Sequence, residues 1–316
     1  MTLDPKRTAF VFPGQGSQVV GMGKALAGTY PEARRLFEEM DSLLGIPLTR
    51  LCWEGPDSEL GETFNTQPAL LTHSVAAWRV LTDALGGFQP LCVAGHSMGE
   101  FSALVAAGAL PFADAIRLTR ERGRVMSGAG KTTPGGMAAI LNCPASVLEQ
   151  LCAQAARETG GIVGVANDNC PGQVVISGED QALARAMALA LQNGARRAVR
   201  LNVSIGSHSP LMREAAAEFA RAVNAAPLAD PRVPLIGNVG AGPLRTAAAL
   251  RDDINAQLTS PVRWVESVRA MQALGADTFI ELGSKDVLTG LIKRIAPAVR
   301  TMAAGEPSEI RSVLGV

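Results

Sequence analysis

Leu91-Cys-Val-Ala-Gly-His-Ser-Met-Gly-Glu100 is the stretch on which the fold turns. Leu91 to Ala94 is an apolar run with the length of a buried strand, and it stops at Gly95-His96-Ser97-Met98-Gly99. Residues 100 to 107 then read as helix. A sharp strand-to-helix turn crowds the backbone, so it needs small residues on either side of the residue it presents. The pattern G-x-S-x-G therefore predicts an exposed Ser97 hydroxyl. It also places the Met98 backbone N–H beside a helix N-terminus, where it can stabilise an oxyanion. The competing reading is a glycine-rich turn with a helix-capping serine.

The same strand-then-helix rhythm extends outward. Thr8 to Phe12 is a β-like run that stops at Pro13-Gly14-Gln15-Gly16, and Gln18 to Ala27 reads as helix. Leu71, Val75, Trp78, Leu81 and Leu85 recur at spacings of three and four, which predicts a helix over 67–85 with Pro68 near its first turn. Past residue 200 the pattern gives helix 210–225, strand 234–238, helices near 247–258 and 264–274, strand 277–282 and helix 285–295. Repeated units of this kind predict a parallel sheet covered by helices.

The middle of the chain has a different rhythm. Lys131-Thr-Thr-Pro-Gly-Gly136 reads as a linker. After it come strand 137–141, helix 145–157, strand 162–166, a Pro171-Gly172 turn, strand 173–177, helix 180–192 and strand 196–201. This is the self-contained β-α-β-β-α-β order of a ferredoxin-like unit. The expected organisation is a small domain over 131–199 inserted into a larger one made of 1–130 and 200–316.

Composition narrows the function. The chain has 316 residues, 47% of them hydrophobic and 18% charged, with Lys+Arg and Asp+Glu at 29 each. A net charge of zero leaves no surplus to grip a nucleic-acid backbone. No apolar leader opens the chain and no run is long enough to span a bilayer, so a cytoplasmic protein without a membrane partner is expected. Five cysteines, none in a Cys-x-x-Cys pair, read as free thiols, and only three histidines argue against a zinc site.

A nucleophilic serine needs a base. His96 is the immediate neighbour of Ser97, so the turn aims its ring elsewhere, and His73 lies within a helical pattern. His208 lies in Ser204-Ile-Gly-Ser-His-Ser-Pro210, a loop between a strand and a helix. By elimination it is the base candidate, the alternative being a histidine that caps the following helix. Gly14-Gln15-Gly16 lacks the third glycine of a dinucleotide fingerprint, since Val19 takes that place, and there is no Gly-Lys-Ser/Thr of a P-loop. Its tight turn suits Gln15 as a second oxyanion donor. Arg120, Arg122 and Arg124 lie on one helical stretch, as solvated surface or as a pocket clamp for a carboxylate, and spacing does not choose between these.

Taken together, Phe10-Val-Phe-Pro-Gly-Gln-Gly-Ser-Gln18, Thr66-Gln-Pro-Ala-Leu-Leu71, Gly95-His-Ser-Met-Gly-Glu100, Arg122-Gly123, Asn169-Cys-Pro-Gly-Gln-Val-Val-Ile176, Ser207-His208 and Ser260-Pro-Val-Arg-Trp264 run nearly end to end. In order and spacing they closely resemble the malonyl-CoA:acyl-carrier-protein transacylases, with the stand-alone acyltransferases of polyketide synthases as relatives. The resemblance implies an α/β-hydrolase-like core with a ferredoxin-like insert. It implies malonyl transfer from coenzyme A, as a thioester substrate, to an acyl carrier protein, with no metal or redox cofactor. By resemblance Ser97 is acylated, His208 is general base and acid, and the backbone amides of Gln15 and Met98 form the oxyanion hole. Arg122 then pairs with the malonate carboxylate, Gln67 lines the pocket, and the backbone carbonyl of Arg263 orients the histidine. Departures at Gly283-Ser-Lys-Asp286, Met98 and Gly206-Ser-His208 leave the fine acyl selectivity and the pathway open. Two rival readings are an editing hydrolase that clears acyl groups from carrier proteins, and a non-catalytic carrier-protein docking subunit.

Overall fold

The computed structural model describes residues 3–132 and 134–316. In chain order the strands are β1 (Thr8–Phe12), β2 (Cys92–Gly95), β3 (Gly136–Leu141), β4 (Val163–Cys170), β5 (Gln173–Gly178), β6 (Arg197–Arg200), β7 (Leu235–Ile236), β8 (Pro243–Leu244), β9 (Thr278–Glu281) and β10 (Arg300–Ala303). They form a six-stranded sheet in the order β10-β9-β1-β2-β7-β8 and a four-stranded sheet in the order β4-β5-β3-β6. In the first sheet every pairing is parallel except that of β7 with β8. The second is antiparallel throughout. The protein is an α/β fold with a hydrolase-like parallel core and a small ferredoxin-like βαββαβ unit.

β1 shows why the larger sheet lies in the middle. All five of its residues are buried. Phe10 and Phe12 enter one apolar cluster, with Leu70, Leu71 and Phe101, whereas Ala9 and Val11 enter another, with Trp264, Val268 and Phe279. A parallel strand covered on both faces reads as a continuous apolar run for this reason. The small sheet is covered on one side. Ala138 and Ile140 alternate inward along β3 and meet Leu148, Leu151, Leu183 and Leu189 of the helices Ala145–Thr159 and Asp180–Gln192. It is tied to the core by backbone bonds from Val262 N–H to Ala166 O (2.8 Å) and from Asp168 N–H to Val262 O (3.0 Å).

The helix read over 67–85 begins earlier, at Thr63, and runs to Ala84, which places Pro68 inside it. Proline has no N–H to give the carbonyl four residues before it, so Phe64 O needs another donor. Arg120 Nη1 supplies it at 2.8 Å and also reaches Asn65 Oδ1 at 2.6 Å. A Cβ on Gly123 would come within 2.4 Å of Phe64 Cα, so the helix Phe112–Thr132 approaches this site at backbone distance. The close approach brings Arg122 against Gln67.

Other elements differ from the reading at their ends. The helix expected over 18–27 is confined to Lys24–Thr29, because Gly21 and Gly23 adopt φ of 99° and 73° and keep the preceding turn open. The strand expected over 234–238 is only Leu235–Ile236, since Gly237 and Asn238 turn toward Asp253. Within the expected linker, the helix continues to Thr132 and β3 begins at Gly136, while Thr133 lies outside the described residues. Among the described residues no helix is long and apolar enough to cross a membrane.

Glu281, at the end of β9, is fully buried and accepts the backbone N–H groups of Leu288 (3.0 Å) and Thr289 (2.7 Å) at the start of the helix Val287–Ile295. Burial pushes its carboxyl up to about 7 from the ordinary 4.5. The folded protein therefore holds a proton that the unfolded chain releases, and this stabilisation is lost as pH rises through about 7. Glu281→Gln, which stays neutral, should gain Tm relative to the parent by a few degrees between pH 5 and pH 8. A pH-independent Tm gap in parallel melts would show that Glu281 carries no such dependence.

Candidate active site

β2 ends at Gly95 and the next helix, Gly99–Ala106, starts four residues later. Ser97 between them has φ of 52°, a left-handed conformation that residues with a Cβ rarely adopt. The glycines are sterically required. A Cβ on Gly95 would stand 2.0 Å from Gly99 C, and one on Gly99 would stand 2.2 Å from Phe12 O. A Cβ on Gly14 would stand 2.4 Å from His96 O, so the loop after β1 also lies directly against this turn. Asn238 holds the strained residue: its Oδ1 accepts Ser97 N–H at 2.7 Å, and its Nδ2 donates to Gly95 O at 2.7 Å.

Ser97 Oγ lies 2.8 Å from His208 Nε2. His208 Nδ1 faces two carbonyl oxygens, Gln257 O at 2.9 Å and Ser260 O at 3.2 Å. Carbonyls only accept, so Nδ1 carries the hydrogen and the Nε2 lone pair points at the serine hydroxyl. This corrects the expectation that the carbonyl of Arg263 orients the ring. Arg263 caps the helix Trp264–Leu274, and its carbonyl is occupied by the N–H (2.9 Å) and hydroxyl (3.0 Å) of Ser267. His208 itself has φ of 58°. Burial, then the nearby Arg122 charge, lowers its imidazole to about 3. The ring is therefore neutral and able to accept a proton throughout the physiological range.

Arg122 is 1% exposed. Its Nη1 donates to Gln67 Oε1 at 3.1 Å, and its Nη2 donates to Gln257 Oε1 at 2.8 Å and to Ser97 Oγ at 3.2 Å. All three acceptors are uncharged. The guanidinium lies 5.8 Å from the centre of the Phe101 ring. Burial lowers it to about 10, with Glu100 acting in the opposite sense. Of the other arginines on this helix, Arg120 supports the Pro68 turn, Arg117 is exposed beside Asp114, and Arg124 is exposed and paired with Glu121 and Glu218.

A second layer of polar residues lies behind this cluster. The Nε2 of Gln257 donates to Ser97 O at 3.1 Å and to Glu100 Oε2 at 2.5 Å. Glu100 is fully buried, and burial and the neighbouring Asp253 charge raise it well above the carboxylate range. Burial raises Asp253 as well, but its carboxylate accepts the backbone N–H groups of Asn238 (3.2 Å) and Val239 (3.3 Å), which oppose that rise. Of the two acids Glu100 is therefore the one pushed further toward the protonated form. Asn238, Gln257, Glu100 and Asp253 were not found by motif reasoning. Glu100 closes the Gly95–Glu100 motif, but nothing local marks its partners.

The remaining candidates separate cleanly. Met98 is buried at the start of the Gly99–Ala106 helix, and Gln15 is exposed on the loop packed against it, its side chain on Thr63 Oγ1 at 3.2 Å. The N–H groups of Gln15 and Met98 donate to no protein acceptor among the described residues. His96 turns away from Ser97, with Nε2 2.8 Å from Asn169 Oδ1 and its ring edge-on to Trp264. His73 lies in the core with Nε2 2.9 Å from Gly305 O. All five cysteines are buried and unpaired, and burial pushes Cys52, Cys92 and Cys152 up to about 12. A thiol in that state is a poor competitor for an electrophile.

A family model described as an acyl transferase domain matches residues 9–305. The malonyl CoA-acyl carrier protein transacylase of Bacillus subtilis (strain 168) is 45% identical over 304 residues, 96% of this chain and 95% of that protein. An acyl carrier protein S-malonyltransferase from Vibrio cholerae superposes with a TM-score of 0.94 at 43% identity, covering 97% of this chain and 99% of that one. A malonyl-transacylase solved in complex with a type II polyketide-synthase acyl-carrier protein superposes with a TM-score of 0.94 at 40% identity, covering 98% and 99%.

Two outcomes follow from the geometry. Gly99→Ala forces its Cβ against Phe12 O, so it should destabilise the protein by about 1–3 kcal/mol and suppress acylation of Ser97; wild-type melting and acylation would contradict the steric reading. The second concerns pH. Because His208 is held neutral, single-turnover acylation should stay level from pH 8 down to about pH 5. Arg122→Ala removes a cation that disfavours imidazolium, so its acid limb should move upward. With acetyl-CoA as donor for both forms, identical pH profiles would contradict this electrostatic account.

Proposed function

The chain belongs to the malonyl-CoA:acyl carrier protein transacylase family, and from this premise we propose how its residues divide the work. The protein is an [acyl-carrier-protein] S-malonyltransferase, which takes malonyl from malonyl-CoA and delivers it to an acyl carrier protein for fatty-acid or polyketide synthesis. In our reading Ser97 is the nucleophile. As its Oγ bonds to the thioester carbonyl carbon, its proton passes to His208 Nε2, and the carbonyl oxygen becomes an oxyanion. The N–H groups of Gln15 and Met98, which donate to no protein acceptor among the described residues, receive that charge. Collapse breaks the C–S bond, and the coenzyme A sulfur leaves with the proton from Nε2. The carrier protein's phosphopantetheine thiol then gives its proton to His208 and attacks the malonyl-serine ester, and Ser97 regains the proton as it leaves. A thioester is exchanged for a thioester, so little driving force is needed and the protein's task is to keep water from the ester.

One observation carries the assignment. Ser97 Oγ stands 2.8 Å from a neutral imidazole and 3.2 Å from a buried guanidinium whose protein partners are all uncharged. Sealing a malonyl carboxylate in a pocket without a partner is costly, and Arg122 supplies the partner. An acetyl group leaves the guanidinium buried without an anion, so attraction and penalty act together. An editing hydrolase for uncharged chains would have no use for that charge. We further propose that residues 131–199 act as an inserted domain between 1–130 and 200–316, and that the protein works in the cytoplasm, in keeping with its buried free thiols.

Incubation with malonyl-CoA and no acceptor should add one malonyl mass, absent from Ser97→Ala, and label on a cysteine would overturn the assignment. His208→Ala should slow both half-reactions by roughly 10²-fold or more. Arg122→Ala should lose about 2–5 kcal/mol of malonyl-over-acetyl preference, read from kcat/KM for the two donors. An unchanged ratio would place the selectivity elsewhere.

A further inference from the structure

Arg122 sits among polar groups that fix its position without neutralising it. Its guanidinium has five N–H donors. Gln67 Oε1, Gln257 Oε1 and Ser97 Oγ occupy three of them, and Nε is among those without an acceptor among the described residues. A buried arginine is commonly matched by a carboxylate. One carboxyl lies close by, that of Glu100, yet Gln257 stands between them. Gln257 is 1% exposed. Its Oε1 takes Arg122 Nη2 at 2.8 Å, and its Nε2 serves Glu100 Oε2 at 2.5 Å and Ser97 O at 3.1 Å.

The direction of that amide is fixed by its neighbours. Arginine only donates, so the oxygen must face Arg122; the Ser97 carbonyl only accepts, so the nitrogen must face Ser97. Gln67 repeats the arrangement on the other Nη. Its Oε1 faces Nη1, and its Nε2 is left with the weak acceptor Met126 Sδ at 3.4 Å. A glutamate at either position would fit the same space. It would also form an internal ion pair, and the guanidinium charge would no longer be available to a substrate.

We propose that Gln257, seconded by Gln67, is a specificity-determining positioning residue: it orients Arg122 through an uncharged oxygen and separates it from Glu100, so that the cation stays unpaired until the distal carboxylate of a malonyl group arrives. The inference rests on the reading that Arg122 receives that carboxylate. It adds that the selectivity depends on glutamine rather than glutamate beside the arginine. Glu100 being protonated against Asp253 serves the same end, because a neutral acid does not compete for Arg122. The same residue presents its backbone carbonyl to His208 at 2.9 Å. Side-chain replacements keep that carbonyl, so they test the amide separately from the base.

The experiment compares kcat/KM for malonyl-CoA and acetyl-CoA in the wild type, Gln257→Glu, Gln257→Met and Arg122→Ala, with the mass of the acyl-enzyme as a second readout. Gln257→Glu should lower the malonyl-to-acetyl ratio by at least about 30-fold while still forming acetyl-enzyme, which general damage to the fold would not do. Gln257→Met, neutral and similar in size, should lower kcat but keep the preference for malonyl. If Gln257→Glu does not fold, Gln67→Glu places the same charge on Nη1 and decides by the same criterion. A glutamate variant that keeps the wild-type ratio, while Arg122→Ala loses it, overturns the proposal and leaves the role of Arg122 intact. If Arg122→Ala also keeps the ratio, the reading of Arg122 fails and this proposal fails with it.

Discussion

The structure depends on one strained residue. Ser97 at φ 52° has no room for a Cβ on either flanking glycine, and its conformation survives only because its surroundings hold it. β2 delivers the chain to the turn, and the Gly99–Ala106 helix carries it away. Asn238 clamps both sides of the turn with its side-chain amide, and Asp253 holds Asn238 in turn. The hydroxyl that emerges faces a histidine which also has a left-handed backbone, at φ 58°. Both reacting side chains are thus presented from conformations that the rest of the molecule must stabilise.

Around this turn the protein has gathered ionisable groups and controlled which of them carry charge. His208 is neutral because it is buried and because Arg122 disfavours a second cation beside it. Glu100 is neutral because it is buried against Asp253. Arg122 remains the cation at the serine. A low-dielectric site strengthens whatever charge is left in it, so one uncompensated guanidinium close to Ser97 Oγ discriminates strongly between acyl groups with and without a carboxylate. The charge that gives the selectivity also adds to burial in keeping the base neutral.

What the sequence made legible was local. The apolar run at Thr8–Phe12 marked a strand buried on both faces, and the alternation along β3 with the helices after it marked the small sheet. Gly-His-Ser-Met-Gly marked the turn because its steric demand is met by residues inside the motif. His208 followed by elimination, since the chain has only three histidines. Local signals failed where a non-local contact decides. The helix expected over 18–27 is shortened by glycines that take left-handed φ. The carbonyls behind His208 belong to Gln257 and Ser260 because Arg263 O is drawn into the first turn of its own helix. Asn238 and Gln257 lie 141 and 160 residues from the serine they support, and no spacing rule connects them. Arg120, Arg122 and Arg124 looked alike in the sequence, and only the close approach at Gly123 buries Arg122 and leaves Arg124 outside.

The central claim is that Ser97, His208 and the unpaired charge of Arg122 form one acyl-binding site. The most direct measurement is a crystal structure of the protein loaded with malonyl-CoA and trapped without acceptor. The account predicts a malonyl ester on Ser97 Oγ, its distal carboxylate within hydrogen-bonding distance of the Arg122 guanidinium, and Gln257 Oε1 still on Nη2. An ester on another residue, or a carboxylate turned to solvent with Arg122 unengaged, would contradict it.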